Sequence, residues 1–213
     1  RLGIDLDQGI VELNGSRLED AFFDIQMADS VPEDTTTSEP MLWKIYVDSV
    51  TIDRSDIVFH MPGDTMSVST HIGNLTAREA LIDLGDQTYT VASADWVNGA
   101  VKYDQNFQPR IEGLDFNHID LSDIHIGIDS IYFHDPTLRM YMRQVALKEK
   151  SGFSVTNLSG PIAMEDGAIK LPKFRLSTPY SDIDVELDMP LSLMEPVDPG
   201  KMRLKMNASL GKQ

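Results

Sequence analysis

Cysteine is absent from this 213-residue chain. A disulfide framework, a zinc site with thiolate ligands and a cysteine nucleophile are therefore excluded together. Positive charge is scarce: 18 lysines and arginines stand against 34 aspartates and glutamates, a formal charge of −16. Such a surface repels phosphate backbones and anionic membranes, which argues against nucleic acid as a partner. Aromatic residues are only 8 % of the chain and are not interleaved with basic ones, so a stacking platform for bases is missing as well. No apolar run approaches the roughly 18 to 20 residues that cross a bilayer as a helix, and no signal peptide is present. The chain opens on Arg1-Leu2-Gly3-Ile4, already inside a strand-like pattern. We therefore expect an internal segment of something longer.

What the chain does contain is alternation. From Ile119 to Ile128 apolar and polar residues alternate almost without a break, the two-residue period of a half-buried strand. Asp129-Ser130 reads as a turn, and a short apolar run closes on His134-Asp135. The phrase recurs from Val47 to His60 and from Val91 to Asp104. Aligned without gaps, the three copies place Val50, Ala94 and Ile124 in one column and Ile52, Trp96 and Ile126 in a second. Ile57, Val101 and Ile131 form a third column, and Phe59, Tyr103 and Phe133 a fourth. The copies are unevenly spaced, which suits an elongated sheet better than a strict solenoid.

The rest of the chain reads the same way. Asn14-Gly15 is the strongest hairpin signal near the start, and residues 17–27 fit a strand slightly better than a helix. Residues 1–28 thus form an N-terminal β segment. Residues 29–40, polar, acidic and bounded by prolines, read as a flexible linker that buries too little to offset its ordering entropy. Residues 41–213 carry the repeated strands, with a turn at Met61-Pro62-Gly63-Asp64 and a connector from Gln105 to Asn117. Leu138, Met140 and Met142 alternate with Arg139, Tyr141 and Arg143, and Phe153 resumes the apolar series after a turn at residues 148–152. Many short alternating strands separated by turns predict an all-β protein.

Catalytic signatures are missing. No phosphate-cradling loop, dinucleotide fingerprint, HExxH pair or GxSxG elbow occurs. His118, Asp120, Asp123, His125, Asp129, His134 and Asp135 cluster in sequence, but alternation puts much of that set on a solvent face rather than around a metal. Carboxylate pairs such as Asp5/Asp7 and Asp182/Asp184 share a strand face, and 34 acidic residues produce such pairs by chance. We expect no enzyme, no cofactor and no bound metal.

The apolar face remains to be explained. Phe59, Trp96, Tyr103, Phe133, Met140, Met142 and Phe153 line one side of the strands. Alternation is silent on what covers that side. It could be the core of a closed β-sandwich serving as a structural or adhesive module. It could instead be a groove open to an apolar ligand, a use that the chain's 11 adaptable methionines favour.

Three phrases bear on that choice: Val47-Asp48-Ser49-Val50-Thr51-Ile52, Asn98-Gly99-Ala100-Val101-Lys102-Tyr103-Asp104, and the run from Ile119 to Asp135. With Leu171 to Ile183 they resemble the translocation-and-assembly-module (TamB) proteins of the AsmA-like group in double-membraned bacteria. The likeness covers roughly Trp43 to Met189. It implies an elongated β-rod folded into a taco-like trough with an apolar interior, within a periplasm-spanning protein anchored in the inner membrane outside this segment. It further implies phospholipid as the ligand, a role in outer-membrane biogenesis or protein export, and an outer-membrane β-barrel as a possible partner. No catalytic residue transfers. On this reading the groove is lined by Ile52, Ile57, Phe59, Trp96, Val101, Tyr103, Ile124, Ile126, Ile131, Phe133, Met140, Met142 and Phe153.

Overall fold

The computed structural model describes residues 2–27, 42–190 and 202–211. In it the chain forms one 13-stranded sheet. The strands are β1 (Leu2–Asp5), β2 (Ile10–Leu13), β3 (Ser16–Glu19), β4 (Phe22–Gln26), β5 (Lys44–His60), β6 (Met66–Asp83), β7 (Thr88–Gln105), β8 (His118–His134), β9 (Thr137–Glu149), β10 (Ser154–Glu165), β11 (Ala168–Thr178), β12 (Ser181–Pro190) and β13 (Arg203–Leu210). From β5 to β13 every strand pairs antiparallel with the next, and β1, β2 and β5 precede them in that order. The path through eleven strands is ten steps, roughly 48 Å at about 4.8 Å per step. The linker predicted for residues 29–40 lies outside the described residues, as does the Pro196–Gly200 loop.

Turns join the antiparallel neighbours where the sequence demands them. Asp166-Gly167 joins β10 to β11 with both residues at positive φ, 54° and 68°, the backbone of a tight hairpin that matches strand twist. Asp135-Pro136, with a cis peptide, joins β8 to β9. Between β6 and β7 the Asp83 carboxylate accepts the Gly85 and Asp86 amides at 3.1 Å each. The Asn14-Gly15 hairpin is not formed. The chain reverses instead at residues 6–9, where Asp5 accepts the Asp7 and Gln8 amides at 3.1 Å each.

β2, β3 and β4 form one interrupted strand. Each runs parallel to β5 in a single register: Ile10 beside Lys44, Ser16 beside Val50, Phe22 beside Asp56. The two interruptions continue across the sheet as two transverse lines. The first runs through Gly15, Glu79 and Ser130, with φ of 64°, 48° and 56°. The second runs through Asp20, Arg54, Asn98 and Asp123, with φ of 52°, 43°, 54° and 50°. Pairing skips these positions and resumes beyond them, with Asp53 opposite Asn74 and Ser55 opposite Ile72 on either side of Arg54. A left-handed residue in a strand acts as a bulge: it bends the chain and adds one step to the alternation. Two lines of such residues divide the sheet into three panels.

The parity of the apolar residues shows this step. In β5 they are Ile45, Val47, then Val50, Ile52, then Ile57, Phe59, so the gaps across the two lines are 3 and 5 residues. The same gaps separate Tyr89, Val91, Ala94, Trp96, Val101 and Tyr103 in β7, and Ile119, Leu121, Ile126, Ile128, Ile131 and Phe133, read backwards, in β8. An odd gap would send the residues to opposite faces of a regular strand. With one extra step at each line they stay on one face. Asp129-Ser130 is therefore not the predicted turn but a bend within β8. For the same reason β5 to β8 reach 17 or 18 residues, longer than the short strands expected.

The sheet does not close on itself or pair with a second sheet. Val47, Ile72, Ile124 and Val145 are the buried apolar residues among those described, far fewer than a sandwich core would hold. The closed-sandwich alternative is not what this chain forms. It is an open, elongated all-β trough.

Candidate functional site

Cross-strand pairing converts those six apolar positions into six transverse rows. Phe133 pairs with Tyr89, Tyr89 with Ile82 and Ile82 with Ile45 in the first row. The Tyr89 and Phe133 rings stack, with centroids 5.9 Å apart. The first row continues through ten residues, from Ile4 to Met189, and the fourth is equally long. It runs Leu18, Ile52, Leu75, Trp96, Ile126, Val145, Leu158, Leu176, Ile183 and Ala208, unbroken from β3 to β13.

Of the residues assigned to a groove from sequence, Ile52, Trp96 and Ile126 lie together in this fourth row. Ile57 and Val101 lie in the fifth, opposite Thr70, and Phe59 and Tyr103 in the sixth, opposite Val68. The third copy of the repeat is placed differently. β8 runs antiparallel to β7, so Ile131 pairs with Val91, Phe133 with Tyr89, and Ile124 with Gly99. The gapless columns joining Ile131 to Val101 and Phe133 to Tyr103 are thus corrected: these residues share a face but lie at opposite ends of it. Ala94 pairs with Ile128 rather than with Ile124. Met140 pairs with Ile162, and Met142 with Ile128 and Gly160. Phe153 lies outside the strands, just before β10, and is about half exposed. Sequence reading missed the earlier members of the rows, such as Val11, Leu13, Leu18 and Phe23. The signal that finds them is the same 3-and-5 spacing in the N-terminal segment.

The opposite face is polar and laced by ion pairs. Arg143 reaches both Asp95 and Asp129, and its guanidinium lies over Gly127, where a Cβ would come within 2.7 Å of it. Asp53, next to the second line, accepts Arg17 Nε at 2.8 Å and Asn74 Nδ2 at 2.5 Å. The Asn74 hydrogen bond, ahead of the Arg17 charge, holds its carboxyl below the ordinary carboxylate value despite burial. Lys44, 2.8 Å from Asp83, does the same there. Arg54 binds Asp20 through two nitrogens, at 2.8 and 3.0 Å. These contacts pin the bends from the polar side.

One buried polar cluster has the look of chemistry. His118 Nδ1 meets Asp115 at 2.9 Å, and Nε2 lies 3.4 Å from Asp104. Asp115 also accepts the Ile111 and Asn117 amides. Both imidazole nitrogens are thus occupied by carboxylates, which leaves none to serve a substrate as base or acid. The cluster fastens the connector at residues 106–117 to β7 and β8. The other members of the predicted histidine–aspartate set are dispersed: Asp123 pairs with Lys148 at 2.8 Å, Asp129 with Arg143, and His134 with Thr88 at 3.0 Å. No group of three or more metal-ligating side chains converges among the described residues.

Comparison with known proteins returned no match: no protein family, no curated protein and no solved structure is significantly similar to this chain.

Proposed function

We propose that the six-row face shields the acyl chains of phospholipid, as a non-catalytic segment of a cell-envelope protein. The observation that carries this reading is the unbroken fourth row: ten apolar residues in line across the sheet, with no second layer over them among the described residues. An acyl chain leaving a bilayer for water loses about 0.8 kcal/mol per CH₂. A continuous apolar strip removes most of that cost while the headgroup stays in solvent. Because the strip repeats from strand to strand, it offers many weak and nearly equal contacts, and a bound chain can slide. The charge of −16 disfavours adhesion of the polar face to anionic membranes.

The resemblance to the TamB proteins supports the same reading. On that resemblance we propose that the segment works in the periplasm, within a protein anchored in the inner membrane, serving outer-membrane biogenesis or protein export beside a β-barrel partner. Native mass spectrometry of the purified chain after expression in a bacterial host tests the lipid. Phospholipid at near-stoichiometric amounts is expected, and its loss in folded Phe133→Glu. A folded wild-type chain that carries no lipid and rejects added fatty acid would overturn the reading.

A further inference from the structure

We propose that the connector between β7 and β8 is a membrane-docking loop, whose apolar side chains enter the surface of a zwitterionic phospholipid bilayer. The inference rests on the lipid reading for its purpose, because it names the surface at which lipid meets the trough. Within residues 106–117 four large apolar side chains stand in solvent: Phe107 at 64 % exposure, Ile111 at 63 %, Leu114 at 39 % and Phe116 at 72 %. None belongs to the six rows. The loop that carries them is nevertheless fixed. The Gln105 amide donates to the Asn117 carbonyl at 2.8 Å, and the Asn106 amide to the Thr65 carbonyl at 3.1 Å. Buried Asp115 accepts the Ile111 amide at 3.0 Å and meets His118 Nδ1 at 2.9 Å, while Arg110 reaches back to Asp104. A buried carboxylate is costly unless paired in this way. Here the pairing orders a loop that keeps its own apolar side chains in water, and such side chains mark an interaction surface.

Three observations identify the occupant as a bilayer. The first is shape. The four side chains stand on a loop joining strand ends, not in a groove or on a flat face. A fluid acyl region closes around separate side chains, where a protein partner would need a matching hollow for each. The second is position. The sixth row, through Phe59, Val68, Tyr103 and Ile119, ends at the foot of this loop, with Tyr103 and Ile119 as its nearest pair. Lipid leaving a bilayer at the loop therefore meets the rim of the trough. The third is charge. A hollow of about 370 Å³ at the base of the loop is lined by Lys102, Asp104, Arg110, Asp120 and Lys150. Both signs stand side by side there, as they do in a zwitterionic headgroup. Glu112 has no ionic partner among the described residues, and with the overall charge of −16 it opposes an anionic surface.

Flotation with phosphatidylcholine vesicles tests the proposal, beside binding of a fluorescent fatty acid to the same chain. The wild type is expected to float, and phosphatidylglycerol added to the vesicles should lower the floated fraction. Phe107→Ser combined with Phe116→Ser should lower it at least about fivefold, with fatty-acid binding kept within about twofold and circular dichroism unchanged. A wild-type chain that binds the fatty acid but never floats would overturn the docking loop and leave the lipid reading standing. Flotation that survives in the folded double variant would place the contact elsewhere and overturn the proposal too. Self-association of the wild type without flotation, lost in the double variant, would make a second copy the occupant, with the same consequence. A chain that floats through Phe107 and Phe116 but rejects fatty acid would instead overturn the lipid reading alone.

Discussion

The indole of Trp96 lies against Gly99 across the bend made by Asn98: a Cβ built on Gly99 would stand 2.4 to 2.6 Å from three atoms of the ring. Trp96 belongs to the central panel and Gly99 to the next, so this contact couples two panels on the apolar side. The Trp96 Nε1 is buried without a hydrogen-bond partner, a desolvation cost that the ring's seating must offset. Gly99→Ala is expected to lower stability by about 1–3 kcal/mol, the usual range for overpacking. Urea unfolding measures the loss, and a red-shifted tryptophan emission in the folded variant would report displacement of the ring. Wild-type stability in Gly99→Ala would mean that the panels are not held by this contact.

The bend lines make a separate prediction at Glu79. This exposed residue has φ 48° and stands on the first line. A left-handed conformation costs a non-glycine residue about 1–2 kcal/mol, while glycine loses about 0.5–1 kcal/mol through its greater unfolded freedom. The two nearly cancel, so Glu79→Gly should keep stability within about 1 kcal/mol of wild type. Glu79→Val, with a branched Cβ, should lose a further 1–2 kcal/mol or so. Thermal melts of the pair decide the matter. If valine were tolerated as well as glycine, the bend would not depend on a left-handed residue.

How much of this was legible beforehand can be judged from Ile126, Ile131 and Phe133. Alternation identified all three as apolar-face residues, because each sits in a two-residue period with a neighbour. It could not assign their rows, since strand direction is a property of the whole sheet and not of the phrase. The odd spacing from Ile126 to Ile131 was visible, but its meaning depends on Ser130 having positive φ, and serine has no strong preference for that conformation. Asn14-Gly15 shows the converse. It was read as a hairpin, but only Gly15 takes positive φ, 64°, and it serves a bend because the chain continues along β5 on both sides. The His118 cluster was hidden for a third reason: Asp104 and Asp115 meet it only after the connector folds back.

Acid should unfold the chain through its pinned carboxylates. Asp53, Asp83 and Asp115 are held below their ordinary value of 3.8 and Glu149 below 4.5. The main causes are, in turn, the Asn74 side chain, Lys44, the Ile111 amide and Ser151. The unfolded chain therefore binds these protons more tightly than the folded one. Their contribution is complete above the ordinary values and disappears as pH falls through the depressed ones. The melting temperature should start to drop as pH falls below the ordinary carboxylate values of 4.5 and 3.8, and Asp53→Asn should flatten part of that drop while lowering stability at neutral pH. An acid profile unaltered by Asp53→Asn would remove Asp53 from the account.

Face selectivity is the most discriminating test of lipid shielding. Ile126 on the apolar face and Tyr141 on the polar one lie in adjoining strands, Ile126 between the Asp123 and Ser130 bends and Tyr141 opposite Asp129. A glutamate at either position adds the same charge to the same region of the molecule. At Ile126 the carboxylate interrupts the fourth row midway, and its desolvation opposes any acyl chain laid along it. At Tyr141, which is 46 % exposed, the carboxylate stands in water among residues that already carry charge. Ile126→Glu should therefore weaken binding of a fluorescent fatty acid at least tenfold, whereas Tyr141→Glu should leave it within about twofold, a difference of more than 0.9 kcal/mol or so in binding free energy. Circular dichroism confirms that both variants keep the sheet. Equal loss in the two would point to nonspecific charge effects, and no loss in either would move the ligand off this face.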